Sequence, residues 1–370
     1  MTFQEMLASI VAQGASDLHL HVGLPPMVRI HGRLTPLGQT KLPPQYTASL
    51  VDVLCTPQHK QRFEERHQVD LAYSLPGVAR FRVNLFKQRG SISVVMRVIN
   101  SDEEKLKMCA LTQESLDFFS NQEKGLVLVT GPTGSGKSTT LARILEEINT
   151  RHAEMIVTIE DPIEYLFKPK RSIIVQRELG SDTLGFHEAL VAAMRQDPDT
   201  IMIGEIRDHE TAAAALEAAQ TGHLVFSTMH TQDSVRTINR LLDLFPPHER
   251  DVARILFAES LVGIISQKLL PRMGGGRVAA MEILKGTLRI RDMIKDPERT
   301  SQIYEAIRES RLDGMQTFDD HLADLYRDGL IDYETGMVNA TSRQHFKVQA
   351  MKIDQERGTS TPSLGLTQIF

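Results

Sequence analysis

The chain has 370 residues, 41% of them hydrophobic and 24% charged, with a formal net charge of -5 at pH 7, the profile of a soluble protein of two or three domains. A mildly acidic balance, no Trp and only 5% aromatic residues supply neither the basic footprint nor the stacking platforms of a direct nucleic-acid binder. Cys55 and Cys109 stand too far apart to build a four-ligand metal cluster, and no apolar run approaches the roughly eighteen residues that cross a bilayer, so a reducing cytoplasm, with any membrane role acting through partners, is expected.

The segment from Met1 to Gln13 mixes Gln4 and Glu5 with apolar residues and has neither the basic start nor the small-residue cleavage site of a signal peptide. Its spacing predicts a helix over Phe3–Gln13. Gly14-Ala15-Ser16 then forms a loop before the alternating strand Asp17–Val22, and Leu24-Pro25-Pro26 makes a break. Strand character returns over Ala79–Phe86 and Ser91–Ile99, where Arg80, Arg82, Arg89 and Arg97 are interleaved. Arginine on alternate strand positions projects to one face, which is either a solvated sheet face or a charged surface that meets nucleotide or a neighbouring subunit. Residues 1–99 are thus expected to form a mixed α/β domain, with a linker over 100–112 marked by the charge-rich stretch Ser101 to Lys107.

A helix over Gln113–Phe119 opens the second domain, expected to span 113–345. The apolar run Leu126–Val129 follows, then Gly131-Pro132-Thr133-Gly134-Ser135-Gly136-Lys137-Ser138, then a helical pattern ending near Arg151. Met155–Ile159, Ile201–Ile203 and Leu224–Thr228 read as strands separated by helices over Gly185–Arg195 and His209–Gln220, an α/β alternation that implies a largely parallel sheet. From Pro246 onward helices are expected to dominate, broken by Gly274-Gly275-Gly276 and the strand-like Val278–Leu284. The segment 346–370, rich in Thr, Ser, Pro and Gly from about Glu356, is expected to be disordered.

The glycine-rich stretch fits G-x-x-x-x-G-K-[ST] without a mismatch and sits between strand and helix, the context its chemistry needs. Glycines let successive N–H groups turn inward around phosphate oxygens, and the helix starting near Gly136 presents its positive end to the same charge. Gly131 to Ser138 together with Thr139 therefore form the expected phosphate cradle, with Lys137 reaching the β and γ phosphates of ATP and Ser138 a ligand for Mg2+. Hydrolysis also needs a carboxylate to position water and complete the magnesium shell. Thr158-Ile159-Glu160-Asp161-Pro162-Ile163-Glu164 delivers three acids after one strand, and Ile201-Met202-Ile203-Gly204-Glu205 delivers one after another, which makes Glu205 the expected Walker B acid and metal ligand although Gly204 stands where many P-loop enzymes have aspartate.

His223 and His230 bracket the strand that follows. His230 occupies the place of a γ-phosphate sensor, whereas a structural role held by a carbonyl is the better expectation for His223 on its own. Arg195 and Arg207 are either arginine fingers acting across a subunit boundary or partners of Asp197, Asp199 or Asp208.

In order along the chain, GPTGSGKSTTL, TIEDPIEY, GEIRDHET and TGHLVFSTMHT resemble the Walker A, Asp box, Walker B and His box of secretion traffic ATPases, and within them the retraction ATPases of type IV pili. GASDLHL, Leu24-Pro25-Pro26, Val78 to Asn84, GGGRVAAMEI at 274–283 and Gly314-Met315-Gln316-Thr317 extend the similarity to about residue 345. The resemblance implies a PAS-like amino-terminal domain and a RecA-like P-loop domain with a helical carboxyl-terminal part, ATP bound between domains, and a homohexameric ring. It also implies Glu164 as general base, Glu205 as Walker B glutamate, His223 and His230 as the His-box pair, and Arg82 and Arg97 as arginines approaching the nucleotide, with weaker roles for Arg195 and Arg207. The implied partners are an inner-membrane pilus platform protein and a paralogous retraction ATPase. The family motif AIRNLIRE aligns with Arg289 to Asp296, which keeps the helical pattern and charge signs but departs at several positions. Extension ATPases often carry a tetracysteine zinc site, which two distant cysteines cannot make, so retraction is favoured; a nucleotide-gated scaffold and a RecA-like nucleic-acid motor are the competing readings.

Overall fold

The computed structural model describes residues 2–30, 32–99, 106 and 109–358. Most of the expected linker, 100–105 and 107–108, and the end of the expected tail lie outside these residues. The chain divides into two compact units: Met1–Asp102 with the loops Asp161–Lys168 and Glu178–Asp182, and the remainder.

The first unit begins with α1 (Phe3–Ala12). Thr2 caps it by accepting from Glu5 N at 3.2 Å while the Glu5 carboxylate accepts from Thr2 N at 2.7 Å, so two otherwise unpaired donors are satisfied reciprocally. Strands β1 (Asp17–Leu20), β2 (Met27–Ile30) and β3 (Arg33–Pro36) precede α2 (Pro44–Leu54) and α3 (Pro57–Arg66), and β4 (Gln68–Leu75), β5 (Ala79–Gln88) and β6 (Ser91–Ile99) complete an antiparallel sheet in the order β3-β2-β1-β6-β5-β4. Alternate residues Leu18, Leu20, Phe81, Val83, Leu85, Val94 and Met96 are fully buried with Leu7, Ile10 and Leu50, which places the helices on one face. The other face carries Arg80, Arg82 and Arg97, whereas Arg89 stands in the turn between β5 and β6. Arg82 stands opposite Arg97 in the ladder and Arg97 opposite Asp17, whose carboxylate accepts from Arg97 Nε at 2.9 Å and lies 3.8 Å from Arg29 Nε. One buried acid thus offsets the repulsion of directly opposed like charges.

In the second unit α4 (Gln113–Ser120) leads to β7 (Gly125–Thr130), α5 (Lys137–Arg151), β8 (Met155–Glu160), β9 (Ile173–Glu178), α6 (Phe186–Ala193), β10 (Thr200–Ile203), α7 (His209–Gln220), β11 (Leu224–Met229), α8 (Ser234–Leu242) and α9 (Arg250–Ser260). The sheet order is β13-β12-β7-β11-β10-β8-β9, with β12 (Leu261–Pro271) parallel to β7 and β13 (Arg277–Lys285) antiparallel at the edge. The strand β12 corrects the expectation of helices from Pro246 onward. Its first seven residues are all buried, so it has no polar face to betray a strand period.

Among the described residues five α-helices follow β13: α10 (Leu288–Lys295), α11 (Ile303–Glu309), α12 (Phe318–Arg327), α13 (Tyr333–Asn339) and α14 (Arg343–Arg357). The last corrects the expected disorder over 346–357, because Phe346, Ala350 and Ile353 at helical spacing bury themselves against Phe318, Leu322 and Tyr333. Asp319 ties these helices together. It is fully buried and accepts from Thr341 N at 2.6 Å, Ser342 N at 2.8 Å and the Tyr304 hydroxyl at 2.7 Å.

Candidate active site

The ends of β7, β10 and β11 lie side by side because the three strands run parallel, with Thr130 paired to Met229 and Ile203 to Ser227. Whatever follows those strands is therefore brought to one edge: the P-loop after Thr130, Glu205 after Ile203, and His230 after Met229. Segments separated by up to a hundred residues meet by strand polarity alone.

The P-loop turns from Thr130 to α5 through Gly131, Gly134 and Gly136, with φ of 146°, 77° and 93°. At Gly131 a Cβ would stand 2.3 Å from the Gln267 carbonyl oxygen and 2.6 Å from Ser135 Oγ, so only glycine fits. Gln267, buried on β12, donates from Nε2 to the Ser135 carbonyl at 2.6 Å and accepts from Thr140 Oγ1 at 2.9 Å, fixing loop and helix together. Lys137 Nζ donates to the carbonyl oxygens of Gly131 at 2.9 Å and Pro132 at 3.2 Å. Ser138 and Thr139 stand in the first turn of α5, and Ser135 Oγ is buried without a hydrogen-bond partner.

Glu205 is held in a loop whose backbone is fixed on both sides, Gly204 N to the Ile159 carbonyl at 2.7 Å and Ile206 N to the Thr228 carbonyl at 3.1 Å. A side chain at 204 would begin 3.3 Å from both the Ile159 carbonyl oxygen and the Phe186 ring, a tight fit in which one neighbour would have to yield by a few tenths of an ångström. Glu205 Oε2 lies 2.5 Å from Arg207 Nε and 3.6 Å from His230 Nε2. Arg207 therefore pairs with Glu205 rather than with the expected aspartates, while Asp208 caps α7 by accepting from Thr211 N at 2.8 Å. Burial, with the positive charge of Lys137, holds the His230 imidazole below the usual histidine range against the pull of Glu205. His230 is thus predominantly neutral at pH 7.

The other expected site residues stand on other elements. His223 precedes β11, at the opposite edge of the sheet from the P-loop and about 20 Å away along a strand of this length. Its Nδ1 lies 3.0 Å from the Ala218 carbonyl oxygen, the carbonyl contact expected of a histidine with a structural role. Arg195 is exposed after α6. Glu164, exposed, belongs to the first unit together with Arg82 and Arg97. Beside it the Ile163 N–H donates to Glu178 Oε2 at 3.1 Å, and the same oxygen accepts from Arg80 Nη2 at 3.1 Å. Glu160, buried at the end of β8, accepts at one oxygen from Thr158 Oγ1 at 2.7 Å and Gln176 Nε2 at 3.0 Å. Among the described residues no group of three or more His, Cys, Asp or Glu side chains could by itself hold a metal ion, and no helix is long and apolar enough to cross a membrane. Gln267 is a site residue that no sequence motif marks. Its one signal is the polar run Ser266-Gln267-Lys268 inside an otherwise largely apolar strand.

A carboxylate, an ammonium group, a hydroxyl and a neutral imidazole converging on a glycine loop can bind and polarise a phosphate chain. Known proteins resemble this chain closely. The profile of the Type II/IV secretion system protein family matches residues 1–275. The type IV pilus retraction ATPase PilT of Pseudomonas aeruginosa is 44% identical over 94% of this chain and 100% of its own length. A twitching motility protein of Neisseria gonorrhoeae is 40% identical over 86% of this chain and 85% of its own. The crystal structure of the pilus retraction motor PilT with bound ADP superposes with a TM-score of 0.84 at 42% identity, covering 94% of this chain and 99% of that one. The chain therefore belongs to the Type II/IV secretion system protein family, on its pilus-retraction ATPase branch.

Proposed function

We propose that this chain is the subunit of an ATP-hydrolysing motor that retracts type IV pilus filaments. The observation that carries the reading is the meeting of a complete P-loop with Glu205 and His230 at one sheet edge, in a chain that resembles retraction ATPases along nearly its whole length.

The residues fit a nucleoside triphosphate with magnesium. Ser135 Oγ is a buried donor with no partner, and the Gly134 turn has nothing within 4 Å of where a Cβ would be, so phosphate oxygens can approach the backbone N–H groups closely. Gly131 to Thr139 cradle the phosphates, and Lys137 exchanges its two loop carbonyls for β and γ oxygens. Ser138 and Glu205 would hold a magnesium ion, which when bound would neutralise charge on those oxygens. To bind the ion, Glu205 Oε2 exchanges its ion pair with Arg207 for the metal. Neutral His230 donates one ring N–H toward the γ-phosphate. Glu164 is the general base for the attacking water, and Arg82, Arg97, Arg195 and Arg207 are the nucleotide-binding arginines of the working assembly. The working form is a homohexamer in the cytoplasm, docked on an inner-membrane pilus platform protein and assisted by a paralogous ATPase.

Deletion of the gene with imaging of surface pili tests the reading. Excess pili that fail to shorten are expected, and an absence of pili would favour an extension motor instead. Steady-state ATP turnover by the purified chain separates a motor from a scaffold, which would bind nucleotide without turnover.

A further inference from the structure

A buried polar row connects the P-loop strand to the loop that carries His230. Thr130, the last residue of β7, donates its hydroxyl to Ser266 Oγ on β12 at 2.9 Å, and Ser266 stands directly opposite Glu282 on β13. Glu282, only 2% exposed, accepts from the backbone N–H of Ser234, the first residue of α8, at 2.8 Å. One turn further on, the Thr237 hydroxyl donates to the Asp233 carbonyl at 2.7 Å and lies 2.6 Å from Thr231 Oγ1 and 3.5 Å from Thr130 Oγ1. Thr231 is the immediate neighbour of His230. Thr130, Ser234, Thr237 and Ser266 are all fully buried.

Helix formation alone does not call for Glu282. Asp233 already caps α8, accepting from Arg236 N at 2.8 Å, the ordinary device for the first turn. A second carboxylate, reaching the same turn from a residue 48 positions downstream, costs desolvation and adds a fixed point in space. It sets where α8 begins rather than whether it forms. The loop from His230 to Asp233 is then held at one end by β11 and at the other by Glu282, with the Thr231–Thr237–Thr130 contacts bracing it against the P-loop strand.

We propose that Glu282 is a positioning residue for ATP hydrolysis: from β13 its carboxylate fixes the start of α8, and so places His230 beside the P-loop. The role rests on the ATPase reading above. It predicts that losing the hydrogen bond lowers turnover without weakening nucleotide binding, because the phosphate cradle is held separately by Gln267.

The test is steady-state ATPase kinetics of the purified full chain and its variants, each below its own thermal midpoint. Glu282→Ala is expected to lower kcat roughly tenfold with KM for ATP within about twofold. Glu282→Gln, whose carboxamide oxygen still accepts from Ser234 N–H, is expected to stay within about twofold of the unmodified chain in kcat. Thr237→Val keeps the shape of the side chain but severs the brace, and is expected to lower kcat at least about threefold. Unchanged kcat in Glu282→Ala, a loss in Glu282→Gln as large as in Glu282→Ala, or an effect on KM alone would overturn the proposal. If Glu282→Ala does not fold, Thr237→Val decides, and wild-type kcat in that variant overturns it. Absence of turnover by the unmodified chain is a different result, which removes the ATPase reading and this role with it.

Discussion

Gln267 Nε2 donates to the Ser135 carbonyl oxygen at 2.6 Å, joining the P-loop to a strand 132 residues downstream. The same side chain accepts from Thr140 Oγ1, so the turn of the loop and the first turn of α5 share one anchor. Gln267→Leu keeps the approximate volume and strands two buried polar groups, each worth about 1–3 kcal/mol. The loop N–H groups then lose their common orientation. ADP affinity, followed by titration calorimetry, is expected to fall about tenfold to a hundredfold; unchanged affinity would show that the loop keeps its shape unaided.

Sequence made the phosphate cradle legible because its chemistry is local: glycines, Lys137 and Ser138 are contiguous, and the strand before and helix after are both amphipathic or apolar runs of standard length. Glu205 and His230 were legible for a related reason, since parallel strands bring their carboxyl ends to one edge. What sequence could not give is contact between distant segments. Gln267 sits in β12, whose apolar run buries both faces and carries no period that separates strand from helix. The pairing of Arg207 with Glu205 was equally hidden, because Arg207 had three aspartates within reach along the chain and only the fixed loop geometry chooses among partners. In the first unit β2, β3, β4, α2 and α3 carry no clear period in the sequence. Their alternation is interrupted by prolines, as at Pro36, Pro43 and Pro44, or diluted by charge, as in α3, where Phe63 alone is buried.

Lys137→Ala is expected to abolish ATP hydrolysis, at least about a hundredfold, while leaving the thermal midpoint within a few degrees. Both hydrogen bonds given above run to carbonyl oxygens of the P-loop itself, Gly131 and Pro132, so no core packing depends on them. Turnover and differential scanning calorimetry on the same preparation check both halves. A large fall in midpoint would mean that the lysine holds the loop in shape and would leave its phosphate role unproven.

Asp319→Ala strikes the carboxyl-terminal helices. The variant removes the acceptor for Thr341 N, Ser342 N and the Tyr304 hydroxyl at once, in a site with no exposure to water. A loss of about 2–4 kcal/mol is expected from the stranded donors. Hydrogen exchange is expected to quicken over α13 and α14 before the parallel sheet of the second unit responds, since the affected donors are the loop before α14 and a hydroxyl on α11. Uniform loss of protection across both units would contradict that local account.

The buried carboxyl of Glu282 gives stability a pH dependence with a definite sign. Burial pushes its pKa up to about 7; the Ser234 hydrogen bond opposes the shift, Asp233 adds to it and Lys268 on β12 relieves it. On the other side of β13, α12 meets the strand through the Met281 N–H, which donates to His321 Nδ1 at 2.8 Å. In the unfolded chain the same carboxyl ionises near the ordinary value of 4.5, so between about pH 4.5 and 7 the native state binds more protons than the unfolded one. Stability from this group is therefore full at the acid end of that window and lost as pH rises through 7. Glu282→Gln removes the titration, so its thermal midpoint relative to the unmodified chain should climb from about pH 5 to about pH 8. Paired melting curves at the two pH values measure the difference directly. A difference that stays flat would mean that Glu282 is ionised in the native state throughout, held by Ser234 and Lys268 more strongly than burial opposes.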